Sequence, residues 1–141
     1  MRILVVSLMY PLPTNVARGT FVSDNVELLR AQGHEVKVIN PLPRMLKYQE
    51  TRRSTLTGVA KAPVKFQHGE VDVFAPRFWG LPGHPYPSIT IGSMKRMAKK
   101  VSTWLKDWQP QIIICHTIWP AAELAGRLAR DRKSTRLNSS H

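Results

Sequence analysis

Two apolar segments flank an amphipathic helix near the start of the chain. Residues 3–8 form an apolar run with Ser7 as its one polar residue, typical of a strand buried on both faces of a parallel sheet. Apolar residues then recur at helical spacing over about residues 20–32, and residues 35–40 predict a second strand. A strand, a helix and a strand in so short a stretch predict a βαβ unit, because parallel strands need such a crossover connection.

The predicted helix carries its own boundary signals. Val22, Val26 and Leu29 line the face that we expect to be buried, with Phe21 and Leu28 beside it. The hydroxyl of Thr20 or of Ser23 is expected to cap the first turn, and Gly33 is expected to end the helix in left-handed geometry.

The rest of the chain continues the alternation of strands and helices. We expect a long, mostly irregular loop over 41–67, a strand at 70–75, a loop at 76–87, a helix over 88–108, a strand at 111–115 and a last helix from about Pro120. The order β-α-β-β-α-β-α predicts an α/β fold, Rossmann-like, with a mostly parallel open sheet and flanking helices.

Composition excludes several classes of protein. No apolar stretch approaches the roughly 18 residues of a membrane span, and the N-terminal run lacks the cleavage site of a secretory signal. The single cysteine, Cys115, excludes an internal disulfide and a multi-cysteine zinc site, and it favours a reducing cytoplasm. A net charge of +12 indicates a polyanionic partner, which nucleic acid, anionic lipid or phosphorylated small molecules would all satisfy.

The loop at residues 10–19 is the first candidate site, because open α/β sheets bind ligands beyond the carboxyl ends of their strands. Gly19 would let a ligand approach the backbone, and the amides of Thr20 and Phe21 would meet an anion at the helix N-terminus. A plain turn at Gly19 explains the residue equally well. No Gly-x-Gly-x-x-Gly and no P-loop motif is present, so neither standard nucleotide fingerprint applies.

The second candidate site follows the strand at 111–115. His116 has a side chain that would donate to a sugar hydroxyl or a phosphate, although a structural histidine is the commoner case there. Cys115 should point to the opposite face of the sheet and belong to the core. Trp119 would stack on a sugar ring or simply pack.

The predicted helix over 88–108 has a basic face formed by Lys95, Arg96, Lys99, Lys100 and Lys106. A solvated helix surface, an anionic membrane surface and nucleic acid are the three explanations. Nucleic acid is the least favoured, since no recognition motif accompanies the charge.

Four segments in order resemble the N-terminal domain of the family-4 glycosyltransferases, in the branch that builds bacterial surface polysaccharides. They are the first strand at 2–6, Arg-Gly-Thr-Phe-Val at 18–22, the helix and Gly-His-Glu-Val segment at 27–39, and the strand-then-histidine segment at 110–120. The resemblance implies one half of the two-domain GT-B fold, with the active site in the cleft between a donor domain and this acceptor-side domain. Ala121 and Ala122 stand where the family would have a glycine soon after Pro120.

The resemblance also implies a chemistry. A retaining hexosyltransferase of this kind moves a sugar from a nucleotide-sugar donor to a polysaccharide or lipid-linked acceptor, and it requires no cofactor or metal. Gly19, with Arg18 and Thr20 beside it, would lie near the donor phosphates, and His116 would lie near the transferred sugar as the catalytic residue. Trp119 would contribute to binding, and the enzyme would be cytoplasmic, with a peripheral position at the inner face of the plasma membrane.

The last eleven residues, 131–141, resemble the in-frame translation of a common short-read sequencing adapter, since all eleven codons match. We therefore expect residues 1–130 to be an incomplete domain, 131–141 to be non-native, and the chain alone to be inactive. Two alternatives remain. One is a stand-alone α/β module for phosphorylated ligands, which predicts that the tail is natural. The other is a polyanion-binding protein whose function is its charge.

Overall fold

The computed structural model describes residues 1–44, 57–78, 87–116, 121–131 and 136–139. Within these ranges the chain forms three helices and eight strands. In order they are β1 (Arg2–Val6), α1 (Thr20–Ala31), β2 (Glu35–Ile39), β3 (Leu42–Pro43), β4 (Lys65–His68), β5 (Val71–Phe74), β6 (Arg77–Phe78), α2 (Pro87–Trp104), β7 (Ile112–Cys115), α3 (Ala121–Asp131) and β8 (Arg136–Ser139).

The main sheet has the strand order β4-β5-β2-β1-β7-β8. All neighbours in it are parallel except β4 and β5, which form an antiparallel pair at one edge. The predicted α/β fold with a mostly parallel open sheet is therefore confirmed. The predicted helices and long strands lie where the sequence pattern placed them, within a few residues at their ends.

The two faces of the sheet bury different helices, because side chains of a strand alternate between faces. Ile3 and Val5 of β1 pack in one cluster with Val22 and Val26 of α1. Leu4 and Val6 point to the other face, where Leu105, just past α2, and the apolar faces of α2 and α3 complete the cluster. The helix residues include Met94, Met97, Val101, Leu124 and Leu128. Cys115 is fully buried in this second cluster, as predicted.

Three local expectations are wrong. Leu29 was expected on the buried face of α1 but is only partly buried, because the helix buries a narrower face around Val22, Ser23 and Val26. Phe21 and Leu28, expected beside that face, are 57% and 63% exposed. Helix α2 ends at Trp104 rather than near residue 108. The segments expected as loops contain β3 and β6, which pair in a separate two-stranded sheet, and β4.

Strand β8 lies within the segment 131–141 that resembles translated adapter. It pairs in parallel with β7, with Ile113 opposite Leu137. Almost any sequence can form backbone hydrogen bonds of this kind, because every residue except proline carries a backbone donor and acceptor. The pairing is therefore compatible with a native segment and with an adapter-derived one. The division into residues 1–130 and 131–141 stays a prediction.

Candidate functional site

Three polar residues directly follow three neighbouring strands of the sheet. Ser7 donates its backbone N–H to Ile39 at 3.0 Å, Asn40 donates to Phe74 at 2.8 Å, and His116 donates to Val6 at 3.0 Å. Ser7, Asn40 and His116 therefore begin the loops at one side of the sheet, which we call the carboxyl edge. Ligands of open α/β sheets bind at this edge.

Arg18 is the cation that organises the first loop. Its side chain is buried, and its guanidinium donates to the backbone oxygens of Leu8 and Tyr10 and to Oδ1 of Asn40. Asn40 in turn donates from Nδ2 to the oxygen of Ser7 at 2.7 Å. The guanidinium thus ties the loop after β1 to the end of β2. A direct role for Arg18 in binding stays a prediction.

Burial lowers the pKa of Arg18 to about 10, so the group remains charged at neutral pH. A second guanidinium, that of Arg77, donates to the oxygens of Ala75, Val59 and Ala62. Burial and the nearby charge of Arg44 lower the pKa of Arg77 as well. The carboxyl edge therefore carries fixed positive charge, which suits an anionic ligand.

Gly19 stands where loop and helix meet. It precedes α1 with φ 61° and ψ 32°, a left-handed conformation that favours glycine. A Cβ at this position would lie 2.6 Å from both the carbonyl carbon of Met9 and the nitrogen of Tyr10. The peptide between those residues consequently lies directly against the start of α1, a contact that only glycine permits.

The first turn of α1 has no side-chain cap, so the expected capping by Thr20 or Ser23 is wrong. The hydroxyl of Ser23 instead donates to the oxygen of Thr20 at 2.9 Å. The helix therefore begins at Gly19 by backbone geometry, and its N-terminal amides are not occupied by a capping side chain. Binding by Gly19 and Thr20 stays a prediction.

The loop after β1 is also hydrogen-bonded to the segment that precedes β4. Thr14 donates from Oγ1 to the oxygen of Gly58 at 2.6 Å, and Asn15 donates from Nδ2 to the oxygen of Thr57 at 3.0 Å. These contacts, with Asn40, Ser7 and Arg77, are features that sequence reasoning missed. The available signal for Ser7 and Asn40 was a polar side chain within the last two positions of a predicted strand.

His116 is half-buried, and burial lowers its pKa. The imidazole is therefore neutral at pH 7, with one ring nitrogen as donor and the other as acceptor. Trp119 and Thr117 lie outside the described residues. No described contact tests the predicted catalytic role of His116, so this role stays a prediction.

The depressed pKa of His116 predicts a pH dependence of stability. Below pH 6.5 the unfolded chain takes up a proton at this position before the folded protein does, so stability falls as the pH drops. Above that pH the imidazole is neutral in both states and the effect vanishes. His116→Gln should reduce the loss of unfolding free energy between pH 7.5 and 5.5, measured by urea unfolding. An equal loss in both proteins would contradict the prediction.

Two other kinds of site, a metal centre and a membrane-spanning helix, are absent from the described residues. No group of three or more His, Cys, Asp or Glu side chains in those ranges is placed to hold a metal ion. Among the same residues, no helix has the length and apolar character that crossing a membrane requires.

Comparison with known proteins gives a family and a fold. The model of the glycosyl transferase 4-like domain matches residues 18–138, which include Arg18, Gly19 and His116. The C-terminal domain of a hydrogenase from Pyrococcus furiosus superposes with a TM-score of 0.53 at 8% sequence identity, over 98% of this chain and 89% of that domain. That likeness concerns the fold alone. No match was found among the curated proteins.

Proposed function

Because the chain belongs to the glycosyl transferase 4-like domain family, we propose that it forms the acceptor-side half of a retaining glycosyltransferase. The family supplies the general activity, in which a sugar passes from a nucleotide-sugar donor to an acceptor. The proposal adds the side of the cleft and the stereochemical outcome. It also adds that residues 1–130 work together with a donor-side domain, so the chain alone is inactive.

One observation carries this proposal: the loop of Arg18 and Gly19 and the loop of His116 leave neighbouring strands at the carboxyl edge. The hydrogen bond from the His116 amide to the oxygen of Val6 fixes this neighbourhood. A ligand at the start of α1 would consequently lie within reach of both loops. The positive charge of Arg18 supports an anionic group at that place.

Each candidate residue then has a role in the proposed reaction. The amides at Gly19 and Thr20 face the donor phosphates at the helix N-terminus, with Arg18 holding the loop and adding positive charge. His116 donates a hydrogen bond to the transferred sugar where charge develops in the transition state. Trp119 stacks on a sugar ring. The reaction uses no metal or other cofactor.

The remaining parts of the proposal concern the acceptor and the cellular setting. We place the transferase in the synthesis of a bacterial surface polysaccharide, as a hexosyltransferase acting on a lipid-linked or polysaccharide acceptor. The absence of a second cysteine and the basic composition support a cytoplasmic enzyme at the inner face of the plasma membrane.

A transfer assay tests the proposal. The 141-residue chain and the complete protein encoded at its locus are each incubated with labelled UDP-glucose, UDP-galactose, UDP-N-acetylglucosamine or GDP-mannose and a bacterial lipid extract. We expect label in the lipid or polymer fraction only with the complete protein, because the chain offers only one side of the cleft.

Two outcomes would contradict the proposal. Transfer by the chain alone would show that the donor side is already present in it. A locus that encodes residues 131–141 and then stops, with phosphate-ester binding but no transfer, would establish the stand-alone binding module instead.

A further inference from the structure

The exposed face of α2 carries an uninterrupted set of cations. The basic face is formed by Lys95, Arg96, Lys99 and Lys100 of α2 and by Lys106, which lies two residues past the helix; all five are exposed. Residues 87–106 contain no acidic residue. None of these five side chains forms an ion pair with another described residue. Their charge is thus available to an external anion.

Two exposed apolar residues accompany the charge at one end of the helix. Ile89 and Ile91 in the first turns of α2 are 45% and 37% exposed, although the helix buries Thr90 and Ser93 beside them. A purely solvated surface would not favour isoleucine at these two positions. Exposed isoleucine next to lysine and arginine is the composition that binds an anionic bilayer, with charge drawing the protein in and apolar side chains entering the interface.

The direction of α2 relates this face to the candidate site. Trp108, just past the C-terminal end of the helix, donates from Nε1 to Glu35 at the first residue of β2, which is at the amino end of the strands. The 18-residue helix spans about 27 Å. Its N-terminal end therefore lies at the carboxyl edge, where α2 contacts β6.

We propose that the basic face of α2 docks this protein on an anionic phospholipid bilayer, with Ile89 and Ile91 in the interface and the carboxyl edge turned toward the lipid. The docking surface is independent of the transfer reaction. Its use, which rests on the proposed function, is to hold the site where a lipid-linked acceptor presents its sugar. The acceptor then moves in the plane of the membrane while the enzyme stays bound above it.

Vesicle sedimentation tests the docking surface with a matched pair of variants. Lys95→Gln/Lys99→Gln removes two charges from the basic face. The control Arg2→Gln/Arg30→Gln removes two charges at the amino ends of the strands, and Arg30 lies on α1, which covers the face of the sheet opposite to α2. On vesicles with 30 mol% phosphatidylglycerol in 0.1 M salt, we expect about 30-fold weaker partitioning for the first variant. The control should change by about threefold or less, because the surface field decays within a Debye length of about 10 Å. Circular dichroism verifies that both are folded.

Three results would overturn the proposal. Equal losses in the two variants would mean that net charge alone drives binding. Equal binding to neutral phosphatidylcholine vesicles would remove the role of the cations. Tighter binding to a 20-base-pair duplex than to the anionic vesicles at 0.15 M salt would assign the face to nucleic acid.

The orientation has its own readout. An environment-sensitive fluorophore is attached to Ser88→Cys at the start of α2 or to Thr103→Cys near its end, both exposed positions. We expect the larger emission increase on vesicle binding at position 88, and a larger increase at 103 would overturn the orientation. Because vesicle binding needs no catalysis, docking by the complete protein without sugar transfer would refute the proposed function alone. Transfer without docking would refute only this inference.

Discussion

Replacing Gly19 with alanine is expected to destabilise the fold by about 2–5 kcal/mol. A left-handed backbone costs an alanine about 1–2 kcal/mol, and here the methyl group would also lie 2.6 Å from the backbone of Met9 and Tyr10. Neither the helix start nor the peptide between those two residues can yield without moving the loop that Arg18 holds. Urea unfolding followed by circular dichroism measures the loss.

Gly33→Ala is the matched control for this substitution. Gly33 also has a positive φ, of 92°, but a Cβ there would meet no atom within 4 Å. The control therefore retains the backbone cost of about 1–2 kcal/mol and lacks the collision. If both variants lost the same stability, the close approach at Gly19 would be of no consequence and the loop would not depend on it.

The βαβ unit could be predicted because each of its elements is long enough to show a period. Helix α1 carries apolar residues at helical spacing from Val22 to Leu29, and β1 is apolar and buried from Ile3 to Val6. Strands β3 and β6 have two residues each, too few for any period, and they form because Leu42 and Arg77 become neighbours in the tertiary structure. Such pairing depends on distant contacts that no local window contains.

The candidate site could be predicted in position but not in its internal bonding. The resemblance and the strand ends pointed to Gly19 and His116, and the structure brings their loops to neighbouring strands. The partner of Arg18 was not predictable, because Asn40 lies 22 residues away and acquires its role only through the pairing of β1 with β2. The sequence does not distinguish a buried arginine from an exposed one. In the structure Arg18 is buried and donates to Leu8, Tyr10 and Asn40, and these hydrogen bonds stabilise the loop.

The net positive charge of the chain includes two distinct groups of cations, one at the carboxyl edge and one on the basic face of α2. Arg18 and Arg77 are fixed by hydrogen bonds to backbone oxygens, so their charge stays at the strand ends. The cations of α2 lie on flexible, exposed side chains, which suits a fluid lipid surface better than a single defined ligand. The high pI thus does not require nucleic acid as a partner.

His116→Ala in the complete glycosyltransferase is expected to lower kcat by about 10²–10³-fold, the usual cost of removing one hydrogen-bond donor to developing charge. KM for the nucleotide sugar should change by about threefold or less, since the proposed contact strengthens in the transition state rather than in the bound substrate. Steady-state kinetics with the labelled donor gives both constants. The prediction assumes that the imidazole donates in its neutral form, in keeping with the lowered pKa of His116.

His34→Gln supplies the control for that experiment. His34 immediately precedes β2, so it lies at the edge of the sheet opposite to His116, and its side chain is likewise only partly buried. Its removal should leave kcat within about twofold of the wild type, because the proposed site lies at the other edge of the sheet. If His116→Ala raised KM and left kcat unchanged, His116 would bind the ground state only. If both histidine variants remained folded by circular dichroism and lost kcat equally, the carboxyl edge would not be the site of transfer.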